Sequence, residues 1–328
     1  MPPQTLRSCM GDLRQFASVR RIVLEDGAEQ GVRALAFSTG GGLDFWAMAS
    51  RSMDIGPLWC NGVPLAWQAP HGFAHPGTGH PDGDAGRGVE RMMSGLLMTC
   101  GLEHIRQPAD GHPLHGRLPM TPARVIAAGE DWQHTPPIVY AQGEAVQSRL
   151  GGETLRLERR IEAVIGACEL RLTDTVTNEG NRPQHHDLLY HFNFGYPGIT
   201  SGSTVELDGT PLLGPIRLPD DNADSTVRCV STIASSHARC VLRTPMKNGA
   251  ILYVTLAFDT TTLPFLQVWQ DLRPRCGLLA IEPCTSAWES GGFSAPGPLL
   301  APGEQRRYSL TLHCDLQPAP PGHGNTPA

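Results

Sequence analysis

Three segments of the chain hold residue types that can move protons. The first is His112-Pro113-Leu114-His115-Gly116-Arg117-Leu118-Pro119. Two histidines and an arginine between Gly and Pro belong to a loop or strand end, where scaffolds present functional groups. Gly116 lets backbone come close to a ligand, and Arg117 adds a fork of donors. The second is His185-His186-Asp187-Leu188-Leu189-Tyr190-His191-Phe192-Asn193-Phe194. As a strand it puts His186, Leu188, Tyr190, Phe192 and Phe194 on a core face. Asp187, Leu189, His191 and Asn193 fall on the other face, where a polar row is either solvated or functional. The third is Leu278-Leu279-Ala280-Ile281-Glu282-Pro283-Cys284. A carboxylate at the end of an apolar strand must pair, or its pKa must rise. Either outcome suits a general acid or base.

Other chemistries lack their residues. The spacing His112-x-x-His115 is not the i, i+4 helical pair of a zinc protease, and Pro113 argues against a helix, so no metal is expected. No G-x-S-x-G elbow and no Gly-rich loop ending in Lys occurs. Of 26 basic residues only Lys247 is a lysine, which leaves little room for amine chemistry. No cofactor is expected.

The elements that must position these groups read as strands. Leu155–Ile165 and Cys168–Asn178 alternate apolar and polar residues around Gly166-Ala167, a β-hairpin signal. Further strands are expected at 20–24, 32–38, 43–49, 188–194, 251–256, 278–281 and 307–313. Met92–Leu102 suits a short helix or a buried strand, which periodicity alone does not separate. Gly72–Gly88 reads as a long surface loop. Gly 37 and Pro 29 supply the many turns that such strands require. The expected fold is all-β, a large antiparallel sandwich with few short helices, in a single domain over residues 1–316. Residues 317–328, with three prolines and a glycine between 318 and 322, read as a disordered tail.

Composition narrows the partners. At 40% hydrophobic the 328 residues can build a core. A net charge of -6 argues against nucleic acid, and no run of about 18 apolar residues suggests a membrane span. The N-terminus lacks a basic region followed by an apolar run, and the nine cysteines form no C-x-x-C pair. A cytoplasmic chain with reduced thiols is expected.

In this order the segments resemble the aldose 1-epimerase (galactose mutarotase-like) family, most closely an aldose-1-epimerase-like branch of it. Leu114-His115-Gly116 resembles the family's HLHGG loop, and Val176-Thr177-Asn178-Glu179-Gly180 its V-x-N-x-G hairpin end. Tyr190-His191-Phe192-Asn193-Phe194 is similar to the NHxYFNL strand, and Ile281-Glu282-Pro283 to the LEPQ strand end. The branch pattern is similar to Arg51-Ser52-Met53-Asp54-Ile55-Gly56 with Gly62-Val63-Pro64-Leu65, and to Gly95–Gly101. The likeness runs from about residue 20 to about 315. Two departures stand out: Leu189 occupies the family's histidine position, with His191 one step along the same strand face, and Arg117 replaces the second Gly of HGG.

The resemblance implies mutarotation of a monosaccharide or sugar acid, in which a base takes the anomeric proton and an acid protonates the ring oxygen. It implies Glu282 as base and His191 as acid. His115, Arg117 and Arg51 would hold hydroxyls or a carboxylate, and Asp54 would orient an arginine or accept sugar hydroxyls. Asn193 and His112 complete the expected binding set, and a homodimer stays open. Two alternatives remain. One is a non-catalytic carbohydrate-binding protein that stacks sugars on Trp46, Trp59, Trp67 and Trp269. The other is epimerisation or lyase chemistry at a carbon other than C1 with the same pair.

Overall fold

The expected hairpin forms as Thr154–Val164 against Glu169–Asn178, with Leu170 opposite Ala163 and Val176 opposite Leu157. In a computed structural model, which describes residues 3–222, 224–289, 292 and 295–319, the hairpin lies inside a nine-stranded antiparallel sheet. The order there is 210–213, 204–207, 237–245, 251–259, 305–317, 169–178, 154–164, 138–148 and 124–131. Alternation has its usual consequence. Leu155, Leu157, Arg159, Ile161 and Ala163 are buried, while the residues that alternate with them stay partly exposed.

A second, five-stranded antiparallel sheet runs in the order 226–231, 265–271, 278–284, 187–194 and 97–102. Its three strands Leu97–Leu102, Asp187–Phe194 and Leu278–Cys284 are buried along their whole length. A third sheet gathers five N-terminal strands between Ser18 and Pro64. Phe45 and Leu58 from it, Leu157 and Leu172 from the large sheet, and Leu188, Tyr190 and Phe192 from the second meet in one apolar core. Only two short α-helices occur among the described residues, so the molecule is the expected β-sandwich.

Several expected boundaries shift. Met92–Leu102 resolves into a strand that starts only at Leu97. Gly72–Gly88 is not wholly a surface loop, because Phe73, Ala74 and Pro76 are buried and only the stretch after them is largely exposed. The expected tail begins too early: Gln317 still pairs with Ile251 in the large sheet, and residues 320–328 lie outside the described residues. All nine cysteines are free. No helix among the described residues is long and apolar enough to cross a membrane.

The three sheets share one polar contact inside the core. Arg159, 1% exposed, donates from Nε to Asp174 Oδ1 (2.9 Å) and from Nη2 to Asp174 Oδ2 (2.7 Å). Nη1 reaches Asp54 Oδ1 (2.8 Å) and the Ser52 carbonyl (3.2 Å), and Nη2 also reaches Thr99 Oγ1 (2.8 Å). The Tyr190 hydroxyl donates to Asp174 Oδ2 (2.9 Å), and the Thr99 amide to Asp54 Oδ2 (3.0 Å). All five guanidinium hydrogens therefore have acceptors. Removing one partner of such a buried pair leaves an uncompensated charge. Asp54→Ala is expected to cost about 3–5 kcal/mol. The urea midpoint of unfolding measures it; an unchanged midpoint would show that the pair is not holding the sheets.

Candidate active site

Behind this cluster, the strand Asp187–Phe194 turns its other face to a second set of polar groups. Of the two readings of that face, solvated or functional, the solvated one does not hold, because Asp187, Leu189, His191 and Asn193 are all buried. Residues of the 103–117 loop and of the 285–289 segment cover them: the His115 ring meets His191, and Ser286 bonds Asp187.

Strand register assembles the row. Leu189 pairs with Cys284 and Phe192 with Ile281, so His191 stands opposite Glu282. Glu282 pairs with Gln267, and Gln267 with Cys229. Directly opposed residues point to one face, so a polar row crosses four strands. His191 Nε2 and Glu282 Oε1 are 3.4 Å apart, without the alignment of a hydrogen bond. Gln267 Nε2 donates to Glu282 Oε2 (2.5 Å), and Arg106 Nη1 donates to Gln267 Oε1 (2.5 Å). The rings of His115 and Trp269 stand edge-on to His191 at 5.5 and 5.9 Å. Both are only partly buried.

Burial decides the protonation of the pair. Glu282 is 0% exposed, and desolvation pushes its carboxyl up to about 8, against the pull of the Arg106 charge and of the Gln267 hydrogen bond. Desolvation pushes the His191 imidazole down to about 3, helped by the neighbouring His115. His115, its Nδ1 on the Ile105 carbonyl (3.0 Å), is held at about 4, again chiefly by burial. The distance alone would suggest an ion pair. The buried setting instead favours a neutral one, a carboxylic acid facing an imidazole, so the pair carries one proton between about pH 3 and 8.

Four side-chain atoms around the row are buried without a partner: His191 Nδ1, Asn193 Oδ1, Glu282 Oε1 and Arg106 Nε. Each such atom costs about 1–3 kcal/mol. A polar ligand at the row would supply the missing partners.

The other expected residues lie elsewhere. Asp54 holds Arg159 on the core side of the sheet. Arg51, fully buried, donates to the carbonyls of Met92 (2.9 Å) and Ser94 (2.8 Å). Arg117 is engaged by Glu103 (2.8 Å) and Asp82 (2.6 Å). His112 stacks on His104, with ring centroids 5.6 Å apart. Asn193 does stay beside the pair, its amide on the His191 carbonyl (3.0 Å). Gly116 serves its own chain and not a ligand: at φ +72 it packs so close to the carbonyls of Gly101 and His104 that a Cβ would lie 2.3 and 2.4 Å from them. Of the four tryptophans, only Trp269 meets His191. Sequence reasoning missed Gln267 and Arg106. Gln267 alternates with Phe265 and Trp269 along its strand and was legible as one polar residue on that face; Arg106 carries no pattern.

Antiparallel sheets sharing one core make the fold a galactose mutarotase-like β-sandwich. The chain belongs to the family described as a domain of unknown function, DUF4432, which matches residues 29–314. Among curated proteins none matches the sequence. Among solved structures, a protein of Klebsiella pneumoniae subsp. pneumoniae described as a candidate aldose 1-epimerase is similar, with TM-score 0.80 and 20% identity over 92% of this chain and 83% of that one. A galactose mutarotase-like protein from Clostridium acetobutylicum gives TM-score 0.62 at 12% identity, covering 90% of this chain and 98% of that one. The galactose 1-epimerase of Lactobacillus acidophilus gives 0.51 at 10%, covering 91% and 99%. These likenesses share the fold.

The pair leaves opposite marks on stability. A carboxyl whose folded pKa is raised stabilises below its unfolded value of 4.5, and that contribution is lost as pH rises towards about 8. His191, depressed from 6.5, loses its contribution as pH falls towards about 3. Glu282→Gln removes the first effect. From pH 5 to 8 the variant is expected to gain on the wild type by up to about 1.4 kcal/mol per pH unit. Urea midpoints across that range measure the gain, and parallel curves would mean that Glu282 is already ionised at pH 5.

Proposed function

We propose that the protein is an isomerase of the aldose 1-epimerase type, which interconverts the anomers of a monosaccharide by acid–base chemistry at Glu282 and His191. The observation that carries the reading is the 3.4 Å approach of two buried titratable groups, with unpartnered polar atoms around them. The likeness in fold to mutarotase-like proteins supports it.

The protonation derived above reverses the roles that the resemblance implied. At rest the proton is on Glu282, so the carboxyl protonates the ring oxygen while the neutral His191 imidazole takes the anomeric hydroxyl proton. The C1–O5 bond breaks, C1=O1 forms, and the pair becomes carboxylate and imidazolium. After rotation about C1–C2, the O5 hydroxyl attacks the other face of the carbonyl. Its proton returns to Glu282, and His191 gives its proton to O1. Atoms and charge balance, and the pair is restored for the next turnover. A general acid and a general base are each worth about 10²–10⁴-fold. His115, neutral and edge-on to His191, limits how far the imidazole can turn.

The test is anomer exchange followed by NMR or polarimetry over a panel of free sugars. Glu282→Gln and His191→Asn are each expected to lower kcat by at least 100-fold while the fold is retained. A full rate in either variant would remove that residue from the mechanism. Tight binding of a sugar without exchange would favour a non-catalytic carbohydrate-binding role.

A further inference from the structure

Arg106 is 2% exposed. Its Nη1 donates to Gln267 Oε1 (2.5 Å), its Nη2 to the Ser286 carbonyl (2.6 Å), and Nη2 also approaches the Cys284 sulfur (3.7 Å). These acceptors are uncharged at neutral pH, since burial and the Cys229 contact hold the Cys284 thiol well above its ordinary range. Among the described residues no carboxylate comes within 4.0 Å of the guanidinium. Two of its five N–H donors are left over, and Nε–H has no partner of any kind. A guanidinium keeps its charge at every working pH, so the site holds a buried cation with no carboxylate paired to it. That state is expensive unless something else pairs with it.

The neighbouring acids do not fill the gap. Asp187 is committed to the hydroxyls of Thr285 (2.9 Å) and Ser286 (2.8 Å) and to the Gly297 amide (3.1 Å). Glu282 is spaced from Arg106 by the Gln267 amide, which spends one end on each. A glutamate in place of Gln267 would neutralise the guanidinium; the glutamine keeps its charge available. The one neighbouring acid that ionises near neutral pH is the Cys229 thiol, lowered to about 6, mostly by its hydrogen bond with Cys284 and only in small part by Arg106, and it leaves Arg106 Nε unpartnered.

We propose that Arg106 receives a carboxylate carried by the substrate, which makes the preferred substrate a uronic acid and not a neutral aldose. The proposal rests on the acid–base reading above. Ring geometry agrees with it. In a pyranuronate the carboxylate sits on C5, next to the ring oxygen, on the side away from C1. Glu282 serves that oxygen, and the next groups along the row are Gln267 and Arg106. The charge count favours a monoanion over a phosphate. Among the described residues Arg106 is the one free cation at the pair, because Arg117 is taken by Glu103 and Asp82, Arg51 by carbonyls, and burial keeps His115 neutral. Trp288, whose ring lies 5.6 Å from the guanidinium carbon, holds the cation's face.

The experiment compares NMR anomer-exchange rates for a hexuronate and for its matched neutral hexose, in the wild type, Arg106→Gln and Arg106→Lys. The uronate is expected to lead in kcat/KM by at least tenfold. Arg106→Gln is expected to cut that preference about 100-fold, mostly through KM, and Arg106→Lys to keep part of it, as a charge-assisted contact requires. A wild type that exchanges the neutral hexose as fast as the uronate overturns the inference and leaves the acid–base reading standing; this comparison holds even if Arg106→Gln does not fold. Exchange of neither sugar overturns the acid–base reading. Calorimetric titration with the uronate then decides the anion site: binding that Arg106→Gln abolishes supports it, and no binding by the wild type overturns it.

Discussion

The Arg159 cluster is the interaction on which the arrangement depends. Asp54 comes from the N-terminal sheet, Arg159 and Asp174 from the large sheet, and Thr99 and Tyr190 from the sheet that carries the polar row. A fork of five donors can satisfy all its acceptors in few geometries. Apolar side chains tolerate sliding, since area burial is not directional. The cluster does not: a shift of one residue in the strand Asp187–Phe194 would send Tyr190 to the opposite face and leave Asp174 without its hydroxyl. Fixing Tyr190 fixes the next residue, His191. The register that serves the core is thus the same register that sets His191 opposite Glu282.

That coupling explains how a site made mainly of strand residues can be exact without much help from loops. Glu282, Gln267 and His191 are held by ladder hydrogen bonds on both sides of their strands, and rigid elements hold functional groups better than loops do. Arg106 and His115 come from a loop, but their bonds run back to the frame, to Gln267 and Ser286 in one case and to the Ile105 carbonyl in the other. Chemistry that passes one proton between two groups needs this kind of fixed distance.

Much of the frame could be read in the sequence because period-two alternation survives wherever one face meets the core and the other meets water. The hairpin 154–178 is such a case, and its strand limits fall within two residues of the pattern. The reading stayed open where both faces are buried. In Asp187–Phe194 the polar row read equally as solvated or as functional, since nothing local announces that a loop will cover it. Glu282 and His191 were legible because a carboxylate and an imidazole among apolar neighbours are costly. Arg51 and Asp54 entered through the resemblance alone, and the structure buries both for a different reason. Buried charges that hold sheets together and buried charges that do chemistry look alike in one dimension, and only their partners separate them.

The two faces of that one strand make the separation concrete. On the core face every hydrogen of Arg159 finds an acceptor, and two carboxylates oppose the cation. On the other face Arg106 meets neutral acceptors, and four polar atoms find no partner. A fold selected only for stability would replace the second set by apolar residues of similar volume, which is often neutral or favourable. Retaining it lowers stability at both ends of the pH scale, through His191 below and Glu282 above. Such a loss is ordinary at functional sites, where groups are kept unsatisfied until a ligand arrives. The contrast also locates the ligand's polar atoms. Acceptors are wanted at Arg106 Nε and at the protonated Glu282 carboxyl and a donor at Asn193 Oδ1, the pattern of a hydroxylated ring bearing one anionic group.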